Sequence, residues 1–347
     1  MPSVTIDAGV LAVPPQHGSA EDVCRYVETL LDWSRLLDAP WVAIYMSDRA
    51  TEALFEDGLF PLRDQLKRLF TANGIVEYDV NTVAPVVNRL LQLTPSFETY
   101  FSIRDVLTEE LSTEPDILQL CSGTRLQSDL ARCIVLIAIL RKHCREPIRD
   151  HSLILRQAPG RTVRVRAQIS LLDHQRSDLG ATPTPPEYFE GDVLVCDDFM
   201  GLIECLDEAA ILLKATDEVG IKTAIQIAVH KARLARRAAP GWDDIPHHRI
   251  GHEFRSSFQG IHITHQLIGR LLRAIVETLE QTDMAATHWL RTGSGGDNPQ
   301  RVRGSDQAKA WRRDIDREYH LHYWSCEDGT VEIASVSFPH DDFAIPE

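Results

Sequence analysis

Histidine, arginine and tyrosine side chains with a spacing suited to phosphate chemistry lie near the carboxyl end of the chain. His320 and His322 are two residues apart, so on a strand their side chains point to the same face. Arg312 and Arg313 precede them, and Tyr323 follows directly. This spacing predicts two imidazoles and at least one guanidinium around a single position.

These residue types suit cleavage of RNA without a metal ion. Such cleavage needs the 2′-hydroxyl deprotonated, the leaving oxygen protonated and the negative charge on the phosphate oxygens stabilised. Histidine and tyrosine exchange protons, and arginine binds phosphate through two parallel hydrogen bonds. The residues expected to carry this chemistry are His288, Arg291, Arg312, Arg313, His320, His322, Tyr323 and His340. Neither a metal nor an organic cofactor is expected at this site.

The order of these residues resembles that of the small RelE-type ribonuclease toxins. Members of that family have a His-x-Leu start, a strand that carries an arginine, a Leu-x-Tyr strand and a last strand that ends near a histidine or arginine. The corresponding residues here are His288 with Leu290, Arg312 or Arg313, Leu321 with Tyr323, and His340. The resemblance spans residues 288–347 and implies ribonuclease activity.

A second hypothesis concerns Asp7, which lies in the first apolar segment of the chain. An aspartate at the end of a first strand, before a loop and a helix, resembles the start of a PIN-type nuclease. In that family several carboxylates bind Mg²⁺ or Mn²⁺. The residues that would join Asp7 are Asp48, Glu77, Asp79 and Glu98. The alternative is that Asp7 is a turn or helix-capping residue.

Hydrophobic periodicity predicts an α/β protein in three parts. Strand and helix patterns alternate over roughly the first 100 residues, which is typical of a parallel α/β sheet. The segment 180–186, GATPTPP, is the clearest break, and helical patterns dominate after it. We therefore expect an N-terminal α/β domain at 1–180, a helix-rich middle domain at 181–285 and a small C-terminal α+β hairpin domain at 286–347.

Composition and charge limit the function. Hydrophobic residues make up 44% of the 347 residues and charged residues 25%, which are ordinary values for a folded protein. The formal net charge is -15, so the average surface repels a polyanion and RNA binding needs a locally basic patch. Residues 288–323 form such a patch, with seven basic residues against five acidic ones.

Cysteine usage and the apolar runs predict a cytoplasmic protein with no membrane partner. The seven cysteines are scattered and none forms a C-x-x-C pair, which is typical of reduced thiols. No secretory signal opens the chain. The longest apolar run, 133–140, is far shorter than the ~20 residues of a membrane span and predicts a buried helix.

Together these features favour a bacterial conflict effector, anti-phage or toxin-like, that cleaves RNA through its C-terminal domain. RNA is then the expected partner, together with proteins of a defence complex. Two alternatives stay open. The acidic net charge favours a non-catalytic subunit of a multi-protein defence assembly. Asp7 favours a metal-dependent nuclease in the N-terminal domain.

Overall fold

The computed structural model describes eight stretches of the chain, and the protein folds into two units. The described residues are 2–16, 18–144, 151–179, 185–238, 241–258, 263–294, 296–338 and 343–347. The units are Met1–Leu206 and Asp207–Glu347. Each contains its own sheet with helices packed on it, so the α/β class expected from the sequence is confirmed.

The N-terminal unit is built on a six-stranded mixed sheet. Its strands are β1 (Ser3–Ile6), β2 (Ala43–Met46), β3 (Ile103–Glu114), β4 (Ser152–Ile154), β5 (Thr162–His174) and β6 (Glu187–Cys196). Their order across the sheet is β2-β1-β4-β6-β5-β3. Parallel pairing joins β2, β1, β4 and β6. The carboxyl ends of these four strands therefore lie at one edge of the sheet.

Eight helices of the described residues accompany this sheet. They are α1 (Ala8–Leu11), α2 (Ala20–Arg35), α3 (Ala50–Glu56), α4 (Arg63–Ala72), α5 (Val80–Leu93), α6 (Phe97–Phe101), α7 (Thr124–His143) and α8 (Phe199–Cys205). α7 contains the apolar run 133–140, and no side chain of that run is more than 4% exposed. The expected core helix is therefore confirmed. Within the described residues, no helix has the length and apolarity needed to cross a bilayer.

The start of α7 is held by a carboxylate from a distant part of the chain. The residue before the helix, Gly123, has no side chain to cap it. Instead the Asp57 carboxylate accepts hydrogen bonds from the backbone N–H of Arg125 at 3.0 Å and of Leu126 at 2.9 Å. A Cβ on Gly123 would lie 2.0 Å from that carboxylate. Glycine is therefore required for the close approach of Asp57.

We expect Asp57→Ala to lower the free energy of unfolding by about 1–2 kcal/mol, because two N–H groups of the first turn lose their acceptor. Urea denaturation of the purified protein measures this change. Glu109→Ala, at an exposed acidic residue of β3, is the matched control and should change stability by less than about 0.5 kcal/mol. Equal stability of the two variants would contradict the capping role.

The C-terminal unit is built on a five-stranded sheet. Its strands are β7 (His248–Ile250), β8 (Thr287–Trp289), β9 (Lys309–Asp314), β10 (His320–Ser325) and β11 (Val331–Ser337), in the order β7-β11-β10-β9-β8. Its helices are α9 (Glu208–Lys214), α10 (Glu218–Ala235) and α11 (His265–Leu279). The three helices share one hydrophobic core with the sheet, which includes Leu321, Tyr323 and Ile333.

These two units differ from the three domains expected from the sequence. β6 follows the break at 180–186, yet it pairs with β5 over Glu187–Leu194, so the first sheet continues beyond that break. Residues 180–184 themselves lie outside the described residues. Of the helices assigned to a middle domain, α9, α10 and α11 pack on the C-terminal sheet, and α8 belongs to the N-terminal unit. The division therefore falls after Leu206, and the expected boundaries after 180 and 285 lie within the two units.

Candidate functional sites

Strand register brings four of the eight predicted residues onto one face of the C-terminal sheet. His288 of β8 lies opposite Arg312 of β9, and Arg312 lies opposite His322 of β10. His320 pairs in the same way with Asp314. Residues directly opposite each other in antiparallel strands have side chains on the same face. The face predicted for His320 and His322 is therefore present, and Arg312 is the arginine that shares it.

Arg313 and Tyr323 point to the opposite face, towards α11, which corrects their assignment to one site with the histidines. The Arg313 guanidinium is fully buried and donates to a Glu277 carboxylate oxygen at 2.6 Å and to the Thr287 hydroxyl at 3.1 Å. It also donates to the carbonyl oxygen of Asp283 at 2.9 Å. Burial raises the pKa of Tyr323 to about 12, so this phenol keeps its proton at neutral pH. Arg313 therefore connects α11 and the following turn to the sheet.

The end of the chain covers His322, and both central histidines are buried. Nδ1 of His322 lies 3.0 Å from the carbonyl oxygen of Ala344, which accepts its hydrogen bond, and the indole of Trp324 donates to the carbonyl oxygen of Pro346 at 2.7 Å. His320 is 4% exposed and His322 is fully buried. A phosphate in solvent does not reach these imidazoles. This corrects the expectation that both contact a substrate directly.

Three predicted residues, His288, Arg291 and Arg312, line an open cleft of about 510 Å³ beside the edge strand β8. Half of the His288 side chain is exposed, and its Nε2 lies 3.9 Å from a carboxylate oxygen of Asp314. The last predicted residue, His340, lies outside the described residues. Among the predicted residues that the structure describes, these three line the cleft and can contact a ligand from solvent there.

Two tryptophans that the sequence reasoning missed complete the lining. Trp289 is 53% exposed, and the Arg291 guanidinium lies 5.9 Å from the centre of its indole ring. Trp311 lies opposite Trp289 and Tyr323 in the strand register, so the two indoles reach the cleft from the other face of the sheet, and Trp311 also packs against the core beneath α11. The Nε of Arg312 is buried and makes no hydrogen bond within the described part of the chain. Aromatic residues interleaved with arginines were the available sequence signal, since both are used to bind single-stranded nucleic acid.

A second cleft, of about 620 Å³, lies at the carboxyl edge of the N-terminal sheet. Residues that closely follow three parallel strands line it, namely Asp7 after β1, Arg156 after β4, and Asp197 with Asp198 after β6. Open α/β sheets bind ligands in this position. Sequence reasoning singled out Asp7, but strand order alone brings the other residues beside it, so their spacing carried no signal.

Asp7 is a buried acid in the lining of this second cleft. Its Oδ2 accepts a hydrogen bond from the backbone N–H of Gly9 at 2.9 Å, so Asp7 caps α1, which is the capping role considered for it. Burial raises the pKa of Asp7 to about 7, and repulsion from the Asp129 carboxylate adds to this increase. A carboxyl that titrates near neutral pH can either donate or accept a proton.

Asp48 and Glu98, two of the metal ligands proposed to join Asp7, contact an arginine instead. The Arg132 guanidinium on α7 donates to Asp48 at 2.9 Å and makes a closer contact with Glu98. Asp129 lies 3.4 Å from the same nitrogen and accepts a hydrogen bond from Ser47 at 2.6 Å. Only 6% of Arg132 is exposed. The guanidinium therefore supplies the positive charge that a metal ion would otherwise provide to these carboxylates.

The other two proposed metal ligands do not form a cluster either. Asp79 caps α5 through the backbone N–H of Asn81 at 3.1 Å, and Glu77 is an exposed residue just before it. Among the described residues, no three histidine, cysteine, aspartate or glutamate side chains are arranged to hold a metal ion. The residues present therefore do not fit the metal centre that the PIN resemblance implied.

The two clefts offer different chemistry. The cleft beside β8 presents guanidinium groups, an imidazole and aromatic faces, whereas the N-terminal cleft presents a buried acid among apolar walls. No protein family, curated protein or solved structure matches this chain. Its function is therefore inferred from these side chains.

Proposed function

We propose that the C-terminal unit binds RNA in the cleft beside β8 and cleaves the RNA backbone there. The observation that carries this proposal is that His288, Arg291 and Arg312 line one open cleft at the sheet edge, beside the exposed indole of Trp289. Cations and aromatic faces together are what single-stranded nucleic acid requires of a binding surface. An imidazole beside them supplies a group that can accept a proton.

The role of each residue follows from its side chain. Arg291 and Arg312 bind the phosphate oxygens and stabilise the charge that builds up on them as the phosphorus becomes five-coordinate. The exposed face of Trp289 stacks on a base, a contact worth about 1–3 kcal/mol in other proteins. His288 accepts a proton, and the nearby Asp314 carboxylate stabilises the imidazolium that results.

The reaction that we propose is attack of the ribose 2′-oxygen on the adjacent phosphorus. His288 takes the 2′-hydroxyl proton, a bond forms between the 2′-oxygen and phosphorus, and the bond from phosphorus to the 5′-oxygen breaks. Water protonates the leaving oxygen, and the imidazolium returns its proton to the hydroxide that remains. The products are a 2′,3′-cyclic phosphate and a 5′-hydroxyl end.

The biological role that we propose is that of a bacterial conflict effector acting on RNA in the cytoplasm. The order of residues shared with RelE-type toxins supports this role, with catalysis limited here to the cleft beside β8. The net charge of -15 limits RNA binding to a surface where basic residues cluster.

We expect His288→Ala to lower the rate of RNA cleavage by about 10²-fold or more, because the proton acceptor is lost. Arg312→Ala should weaken RNA binding about tenfold and reduce its salt dependence by one phosphate contact. Cleavage of a labelled single-stranded RNA, followed on a gel, and fluorescence anisotropy at several salt concentrations measure these effects. The cleavage reactions contain EDTA, so that a metal-dependent nuclease is silent.

The matched controls are His252→Ala and Arg317→Ala, at exposed residues of the same unit outside the cleft. Both should cleave and bind RNA like the unaltered protein. Undiminished cleavage by His288→Ala would refute the proposed chemistry. RNA binding without cleavage would instead support the non-catalytic subunit, in which Trp289 serves as an anchor for a partner.

A further inference from the structure

The N-terminal cleft has the location and size of a small-molecule site. It lies beyond the carboxyl ends of β1, β4 and β6, where α/β sheets bind ligands, and its volume of about 620 Å³ is within the usual range for such sites. The chemistry proposed for the C-terminal unit makes no use of it. Since the proposed RNA chemistry does not use this cleft, we look for a separate ligand that its side chains match.

The buried polar group in this cleft is the carboxyl of Asp7, which has no cationic partner among the described residues. Asp7 is 7% exposed, and the hydrogen bond from the Gly9 N–H occupies one lone pair of its Oδ2. A Cβ on Gly9 would lie 2.6 Å from that oxygen, so the backbone turns closely around the carboxyl. A carboxyl held in this way presents one acceptor and, when protonated, one donor side by side.

The rest of the cleft has apolar walls and a charged part, in which Arg25 and Arg156 lie with Asp22, Asp197 and Asp198. Val10, Leu126 and Leu155 supply apolar walls. Arg156 donates a hydrogen bond of 3.3 Å to the carbonyl oxygen of Ala12, and Arg25, which pairs with Glu21 at 2.9 Å, lines the same cleft from α2. A matching ligand has a flat apolar body, a hydrogen-bonding edge and an anionic end.

We propose that this cleft binds a nucleoside monophosphate, with the edge of its base hydrogen-bonded to Asp7 and its phosphate paired with Arg156 and Arg25. Each base carries a donor and an acceptor side by side, which a protonated carboxyl matches with two hydrogen bonds. The apolar walls cover the faces of the base. The acidic residues of the cleft do not suit a metal here, because Asp197 and Asp198 already accept backbone hydrogen bonds from Ala158 and Gly201.

Binding should depend on pH because the carboxyl must be protonated to donate. Burial raises the pKa of Asp7 to about 7. The ionisable groups that face it come from α7 and the turn before it, from α2, and from the turns after β4 and β6. α7 and the turn before it contribute Asp129 and Cys121, and α2 contributes Asp22, Arg25 and Tyr26. The turn after β4 contributes Arg156, and the turn after β6 contributes Asp197 and Asp198. Among them Asp129 acts on Asp7 in the same direction as burial.

Isothermal titration calorimetry of the full chain with adenosine, cytidine, guanosine and uridine monophosphates tests the proposal. We expect at least one to bind at pH 6, with an affinity about tenfold lower at pH 8. Asp7→Asn should keep the binding and lose its pH dependence, because an amide presents the same donor and acceptor at every pH. Asp7→Ala should lose at least tenfold in affinity.

Fragments of the ligand and a second variant test the base-binding end and the phosphate-binding end of the cleft separately. Arg156→Gln, at an exposed residue, should weaken binding of the nucleotide and leave binding of the matching nucleoside unchanged. Ribose 5-phosphate should not lose affinity between pH 6 and pH 8, because it has no base to pair with Asp7 and its phosphate gains negative charge over that range. Absence of binding by all four nucleotides at millimolar concentration, or equal binding by Asp7→Ala, would overturn the proposal. So would tight binding of Mg²⁺ or Mn²⁺ alone that Asp7→Asn abolishes, since this would show a metal site.

Discussion

Arg313→Ala should lower the free energy of unfolding by about 3 kcal/mol, because it removes one partner of a buried ion pair. The guanidinium is fully buried and bonds Glu277 on α11, the Thr287 hydroxyl and a backbone carbonyl. Its loss leaves these acceptors without a donor. Part of the Glu277 side chain is exposed and gains water, which places the expected effect at the low end of the range for buried pairs. Urea denaturation measures the change.

Two further variants test whether loss of the buried ion pair is the cause of this loss of stability. Arg312→Ala alters the neighbouring residue of β9, which is partly exposed, and should cost less than about 1 kcal/mol. A double change of Arg313→Met with Glu277→Met should cost less than Arg313→Ala, because no charge is then left without its partner. A loss below about 1 kcal/mol for Arg313→Ala would show that this arginine does not connect α11 to the sheet.

Asp7→Asn should make the protein less sensitive to pH, because it removes a carboxyl that folding holds away from water. Burial raises the pKa of Asp7 from 3.8 to about 7, so the folded state binds this proton more tightly than the unfolded state. The resulting stability is fully present below pH 3.8 and is lost as the pH rises through about 7. Between pH 5 and pH 8 we expect Asp7 to contribute a loss of about 3 kcal/mol.

Urea denaturation at pH 5, 6, 7 and 8 measures this loss. In Asp7→Asn the decline in the free energy of unfolding between pH 5 and pH 8 should be smaller by about 3 kcal/mol. This variant should be more stable than the unaltered protein at pH 8. Asp64→Asn, at an exposed residue of α4, is the matched control and should keep the original pH dependence. An unchanged decline in Asp7→Asn would contradict the burial of an ionising carboxyl. A stability cost of this kind is common at residues that serve a ligand or a reaction.

Three predictions that depended on local pattern agree with the structure. The apolar run 133–140 predicted a buried helix, and it lies in the core of α7. The two-residue spacing of His320 and His322 predicted a shared face, and the register of β10 places them on it. An aspartate at a strand end was expected either as a ligand or as a cap, and Asp7 caps α1. Periodicity and capping are local, so a single sequence carries them.

The candidate site differs from the sequence-based prediction at the points where distant segments of the chain meet. Alternation along β9 shows that Arg312 and Arg313 point to opposite faces, but it does not show which face a helix covers. α11 covers the face of Arg313, and the chain end 343–347 covers His322 through Ala344. Both contacts join segments that are far apart along the chain. Access to solvent is therefore a property of the packing, not of the strand.

The sequence by itself determined the α/β class, the core helix and the face of each strand residue, because hydrophobic spacing follows the geometry of helices and strands. Only the tertiary structure decided which of the candidate residues meet. It placed Arg132 among the carboxylates of Asp48 and Glu98, which removes them from a metal site. It also brought Asp7 and Arg156 together through the order of β1 and β4 in the sheet. Strand order and the pairing of buried charges depend on contacts between distant residues, and no local spacing records them.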